Sequence, residues 1–200
     1  MCTPCGRSYR EIFMLVKFSR PRLRELIVFI MMGALVAVDQ LTKLLADTHL
    51  VMGAPSVKAI PCILNFRLLY NDGMAFGLLA NHRYIFISIT CVIVAAGIVL
   101  LAFRAIESNY LVFSAALIVA GGIGNLIDRF FVGYVVDFFE FDFIEFSIFN
   151  IADCCVVIGA GLLIIYFLAD TAREHRQKRA KNAAQSAGES ETAAPPEERT

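Results

Sequence analysis

LIVFIMMGALVAVDQLTKLLA, residues 26–46, is an apolar run that carries Asp39, Gln40 and Lys43 in its second half. About 20 predominantly apolar residues in a helix cross the hydrocarbon core of a bilayer, so the run predicts a membrane span. It is long for the core of a cleaved signal, it follows a basic leader over 1–25, and it ends in LLADTHL without a small-x-small cleavage pattern. It therefore reads as a retained anchor.

Working outward, three more stretches have the length and apolarity of a span: 84–103, 110–127 and about 149–168. Hydrophobic residues make up 58% of the 200-residue chain and charged residues 18%, with a mean hydropathy of +0.67. Soluble domains carry roughly 45–50% apolar and about 25% charged residues. The expected fold class is an all-α polytopic membrane protein with four transmembrane helices, 26–168, and small β-strand elements outside the membrane.

The 18 Lys and Arg balance the 18 Asp and Glu, so no global field points to nucleic acid. Their placement is informative. Arg7, Arg10, Lys17, Arg20, Arg22 and Arg24 precede the first span, and Arg173, Arg176, Lys178, Arg179, Lys181 and Arg199 follow the last. The loops 47–83 and 128–148 hold few basic residues. The positive-inside rule puts both termini in the cytoplasm and those two loops outside. The tail 169–200 is read as cytoplasmic, and from about 183 its small, polar, proline-bearing composition predicts disorder.

With this topology the polar residues inside spans converge on the outer leaflet: Asp39, Gln40 and Lys43 in span one, Asn125, Asp128 and Arg129 ending span three, Asn150 and Asp153 opening span four. A charge inside a span costs about 2.5–3.5 kcal/mol, so such groups are paired or functional. Asp39 and Lys43, four apart, suit a structural ion pair. Asp128 lies where the helix dipole disfavours an acid and needs a donor, which makes it a bracing residue. Asn125, beside the small-residue run AGGIG, is balanced between helix packing and ligand contact. Asn150 and Asp153 have the spacing of a helix start, whose free N–H groups favour a charged carboxylate.

Asp137 has no comfortable structural reading. In VVDFFEFDFIEF (135–146) it is in phase with Phe139, Phe141 and Phe143 and out of phase with Glu140 and Asp142, so it projects from the apolar face of a strand. A carboxylate there is desolvated and holds its proton more tightly. One acid favoured as charged and one as neutral are the ingredients of an aspartic peptidase pair. No GxSxG or HExxH occurs, and His49, His82 and His175 lie away from these residues, so serine and zinc hydrolysis are poorly supported. In the first outer loop, Leu64, Phe66, Leu68 and Tyr70 alternate with Asn65 and Arg67 ahead of an Asn71-Asp72-Gly73 turn. That is a second short strand, which reads either as part of a plain surface hairpin or, with the strand around Asp137, as a small shelf for an extended peptide.

Cysteine adds little. Cys2 and Cys5 form a lone CxxC, Cys62 has no evident disulfide partner, and Cys91, Cys154 and Cys155 read as packing residues.

The chain resembles the bacterial lipoprotein signal peptidases (signal peptidase II) from about residue 26 to 168. The resemblance is carried in order by VDQLTK (38–43), YNDGMAFG (70–77), GGIGNLIDR (121–129), VVDF (135–138) and FNIAD (149–153). It implies a four-span aspartic endopeptidase of the bacterial inner membrane with Asp137 and Asp153 as catalytic pair. Asp39, Lys43, Asn71, Gly73, Asn125, Asp128, Arg129, Asn150 and Ala152 match its other motif positions and are implied to hold the site or the substrate. The implied substrate is a diacylglyceryl-modified prolipoprotein in membrane lipid, cut before the lipidated cysteine by a monomer without metal, cofactor or nucleic acid. The chain has no Trp, where relatives often carry one near the interface. A proton- or ion-coupled transporter and a non-catalytic membrane scaffold are the rival readings. The first fits poorly because no polar path continues through the inner leaflet.

Overall fold

The computed structural model describes residues 21–72, 83–103 and 105–192. The elements in chain order are α1 (Pro21–His49), β1 (Val57–Ile60), β2 (Leu64–Asn71), α2 (Arg83–Ala102), α3 (Asn109–Phe131), β3 (Val135–Phe141) and α4 (Ile151–Thr192). Gly73, residues 1–20 with the Cys2-Cys5 pair, and residues 193–200 lie outside the described residues.

Three helical stretches are long and apolar enough to cross a membrane: Leu23–His49, Asn109–Phe131 and Ile151–Arg179. The apolar part of α2, Ile87–Ala102, is shorter. The architecture is thus mostly helical, with three clear spans, a fourth apolar helix, and one three-stranded sheet. α4 continues as helix to Thr192, past the point at 183 where composition predicts disorder. The stretch 183–192 is rich in Ala, Gln and Glu, which have high helix propensity.

α3 is the central helix and packs against α1, α2 and α4. Its buried face includes Ala116, Ala120, Gly121, Gly122 and Gly124, small residues that let neighbouring backbones approach closely. A Cβ built on Gly121 would stand 2.3 Å from the carbonyl oxygen of Ala152, so only glycine permits this α3–α4 contact. Met32, Val94, Leu101, Val112, Val119 and Leu126 fill the space among α1, α2 and α3. Large apolar side chains on the outer helix faces, such as Ile30 and Leu41 on α1 or Val157 and Ile165 on α4, are exposed. Such surfaces suit contact with lipid.

The sheet has the order β1-β2-β3, antiparallel throughout. Ala46 at the end of α1 packs with Leu68, Val136 and Phe138, which seats the sheet on the first span. β1 was not legible in the sequence. The second departure is a register shift in β2: Phe66 pairs with Phe139, whereas Leu69 pairs with Asp137 and Asn71 with Val135. Partners in a ladder share a face, so strict alternation from Phe66 would put Leu68 and Tyr70 on the face of Asp137. The bulge exchanges them for Leu69 and Asn71.

Candidate active site

Asp137 occupies the middle of β3 and is 1% exposed. Its Oδ2 accepts a hydrogen bond from Asn71 Nδ2 at 2.9 Å and its Oδ1 one from Asn150 Nδ2 at 2.6 Å. The bulge in β2 is what brings Asn71 to this face. Burial is the largest influence on the Asp137 carboxyl and pushes its pKa up to about 7, outweighing the donors Asn71 and Asn150. The charge of Asp153 acts in the same upward direction.

Asp153 sits in the first turn of α4. Asn150 caps that helix: its Oδ1 accepts from the N–H of Asp153 at 2.9 Å, while Asp153 Oδ2 accepts from the N–H of Asn150 at 3.2 Å. This reciprocal pair is the geometry of a capping box, with Asn and Asp in place of the usual Ser or Thr and Glu. The helix-start reading of Asn150 and Asp153 is therefore correct, and it does not compete with a site role. The same Asn150 amide that caps the helix also donates to Asp137. Asp153 Oδ1 accepts a further bond from Asn125 Nδ2 at 2.8 Å.

Below the two acids lies a buried ionic cluster. Lys43 Nζ stands 2.9 Å from Asp39 Oδ2, 2.8 Å from Asp128 Oδ2 and 3.0 Å from Asn125 Oδ1. Asp39 also accepts from the N–H of Ala152 at 2.8 Å, tying α1 to the start of α4. Asp128 accepts from the N–H of Val136 at 3.2 Å, tying the end of α3 to β3 beside Asp137. The expected Asp39–Lys43 pair is present, and Asp128 finds its donors. Asn125 joins this cluster to the two acids, since Asn150 Nδ2 also reaches its Oδ1 at 3.2 Å.

Sequence reasoning noted Gln40 and gave it no role. Gln40 Nε2 donates to Asp128 Oδ1 at 2.9 Å and to the Gly124 carbonyl at 3.1 Å. Its position one residue after Asp39, in the same polar half of a span, was the available signal.

Arg129 donates from NH1 to the Asn125 carbonyl at 3.3 Å, and its Nε is buried without a partner. With Asn125 and Asp153 it lines a cleft of about 280 Å³ between α2, α3 and α4, whose other walls include Val94, Ile118 and Val156. In order along α3 these residues are Ile118, Gly122, Asn125 and Arg129, so the cleft grades from apolar to polar toward the end of α3. Of the site residues read from the sequence, Asp39, Lys43, Asn71, Asn125, Asp128, Asp137, Asn150, Ala152 and Asp153 form one continuous network, and Arg129 borders it.

Comparison with known proteins gives the family. A family model described as signal peptidase (SPase) II matches residues 31–169. The chain is 38% identical over 143 residues to a lipoprotein signal peptidase of Streptococcus thermophilus (strain CNRZ 1066), covering 72% of this chain and 93% of that protein. It is 37% identical over 152 residues to a lipoprotein signal peptidase of Desulfitobacterium hafniense (strain DSM 10664 / DCB-2), covering 76% and 99%. A bacterial membrane enzyme solved by the in meso method at 2.3 Å resolution aligns with a TM-score of 0.67 and 35% identity over 72% of this chain and 89% of that one. A second, solved at 1.9 Å, gives 0.66 and 34% over 72% and 94%.

Proposed function

The chain belongs to the signal peptidase II family, and on that premise we propose that Asp137 and Asp153 are the catalytic pair of an aspartic endopeptidase. It is a lipoprotein signal peptidase and a membrane protease. The substrate is a prolipoprotein whose lipobox cysteine carries a diacylglyceryl group, and the bond cut is the one before that cysteine.

The observation that supports the pair best is the double role of Asn150. One side chain donates to Asp137 and accepts from the backbone of Asp153, so both acids are clamped by the same residue. Their surroundings differ. Asp153 accepts from Asn125 and from a helix N-terminus, which suits a charged base. Asp137, on a buried strand, suits the neutral acid. Asp153 takes a proton from water as its oxygen attacks the scissile carbonyl carbon, and Asp137 gives its proton to the carbonyl oxygen. The resulting gem-diol collapses as the C–N bond breaks: the leaving amine takes the proton held by Asp153, and Asp137 recovers its own from a diol hydroxyl, which restores the starting pair. Arg129 and Asn71 position the peptide, and Lys43, Asp39, Asp128 and Ala152 hold the frame.

In this reading α2 is the fourth span, since a 20-residue helix measures about 30 Å, the thickness of the hydrocarbon core. Residues 26–168 form the peptidase domain, both ends face the cytoplasm, and the site opens at the outer leaflet of the inner membrane. A lipid-anchored bond lies at that depth. The chemistry requires only two carboxylates and water, and one chain supplies every group named.

The test is cleavage of a diacylglyceryl-modified lipobox peptide by the detergent-purified protein, with the products identified by mass. A cut immediately before the modified cysteine is expected. A cut elsewhere, or none, would refute the assignment.

A further inference from the structure

The hydrogen bond from Asn71 to Asp137 depends on where β2 ends. Leu64, Asn65 and Phe66 have β1 on one side and β3 on the other, whereas Leu69, Tyr70 and Asn71 pair with β3 alone among the described residues. A strand end paired on one side opens more easily than the middle of a sheet. Asn71 is the last residue of β2, so whatever holds it beyond the ladder bears directly on the Asp137 carboxyl.

Tyr70 supplies a tether. Neighbouring strand residues point to opposite faces, so with Asn71 turned to Asp137, Tyr70 turns to the end of α1. There its hydroxyl donates to Asp47 Oδ1 at 2.6 Å. Its ring lies 4.4 Å from that of Tyr134, the residue that precedes β3, and packs on the cluster of Ala46, Leu68, Val136 and Phe138. α1, β2 and the start of β3 thus meet at one side chain.

Asp47 follows Lys43 by four residues and so lies one turn further along the same face of α1. Among the described residues it has no salt-bridge partner. One helix therefore presents Asp39 and Lys43 to the ionic cluster and Asp47 to β2, which references both sides of the site to the same rigid element. The bond to Asp47 is also the largest influence on the Tyr70 phenol and pushes its pKa up to about 12, so the hydroxyl remains a donor in neutral solution.

We infer that Tyr70 is a positioning residue for the peptidase reaction: its hydroxyl, held by Asp47, fixes the end of β2 and with it the place of Asn71 against Asp137. The inference rests on the peptidase reading. Asn71 bonds the proposed catalytic acid itself, so loosening it disturbs the chemical step more than the binding of the peptide. A misplacement of about 1 Å in a catalytic group costs up to about 100-fold in rate. Loss of one part-exposed hydrogen bond at a strand end displaces Asn71 by less.

The experiment measures kcat and KM on a lipidated lipobox peptide for the parent, Tyr70→Phe, Asp47→Ala and the double variant, each purified in detergent with its melting temperature recorded. Tyr70→Phe keeps the ring and its stacking and removes only the donor. Each single variant should lower kcat by roughly three- to tenfold with little change in KM, and the double variant should be no worse than either. Arg67→Gln, which breaks the pair with Glu140 elsewhere in the sheet, should leave kcat unchanged. Asp47 is exposed on a helix, so Asp47→Ala carries the test should Tyr70→Phe not fold. Parental kcat in the folded single variants, losses that multiply in the double variant, or an equal loss in Arg67→Gln would overturn the positioning role. Failure of the parent to cleave would refute the peptidase reading itself, and this inference with it.

Discussion

Asp137 combines near-complete burial with an ionisable group, and that combination makes it sensitive to pH. Its pKa rises from the ordinary 3.8 to about 7 because burial penalises the charged form. Between those values the folded protein holds a proton that the unfolded chain has released. Stability from this group is therefore full below about pH 4 and is lost as pH rises toward 7. Asn cannot ionise and lacks the loss. The melting temperature of Asp137→Asn relative to the parent should thus be higher at pH 8 than at pH 5, by the equivalent of a few kcal/mol. A difference independent of pH would contradict the burial argument. Lys43 is the opposite case, a buried cation between Asp39 and Asp128. Lys43→Met leaves two buried acids without their cation and should cost about 3–5 kcal/mol, read by thermal unfolding in detergent. Lys43 and Asp137 were both visible in the sequence because a charge in an apolar segment demands a partner. Gln40 was not, because an uncharged amide makes no such demand.

At the level of elements, the site depends on how closely α3 approaches α4. Gly121 faces the Ala152 carbonyl, and any side chain there must push the start of α4, with Asp153, away from Asn125. Gly121→Ala should destabilise by about 1–3 kcal/mol and lower turnover at saturating substrate, measured as kcat with unfolding followed in parallel. Unchanged kcat would show that the contact does not set the position of Asp153. The extents of α1 and α3 and the existence of β2 and β3 could be read from apolar length and alternation. The bulge in β2 could not. Alternation assigns Asn71 to the wrong face, and the shift between Phe66 and Leu69 is set by pairing with β3, a long-range constraint that β2's own residues do not encode. β1 was missed for a related reason: VKAI is four residues long and wholly exposed, so it leaves no burial pattern to read.

Across the whole molecule, a ring of side chains from α1, β2, α3, β3 and α4 closes on one point at the end of the helix bundle. On the proposed function such a site would serve a substrate anchored in the bilayer, whose diacylglyceryl group would supply binding through apolar burial, about 25 cal/mol per Å². The bare lipobox peptide should consequently be cleaved far less efficiently than the lipidated one, with most of the difference in KM. Comparable kcat/KM for the two would remove lipid recognition from the account. The central claim, that Asp137 and Asp153 work as one unit, is tested by turnover of the two single Asn variants and the double variant, each purified in detergent and matched for folding. Asn fills nearly the same space but cannot move the proton, so each single variant should lose turnover by several orders of magnitude. The double variant should be scarcely worse than either, since groups that act jointly are not additive. Appreciable turnover by Asp137→Asn or Asp153→Asn alone would contradict the pair.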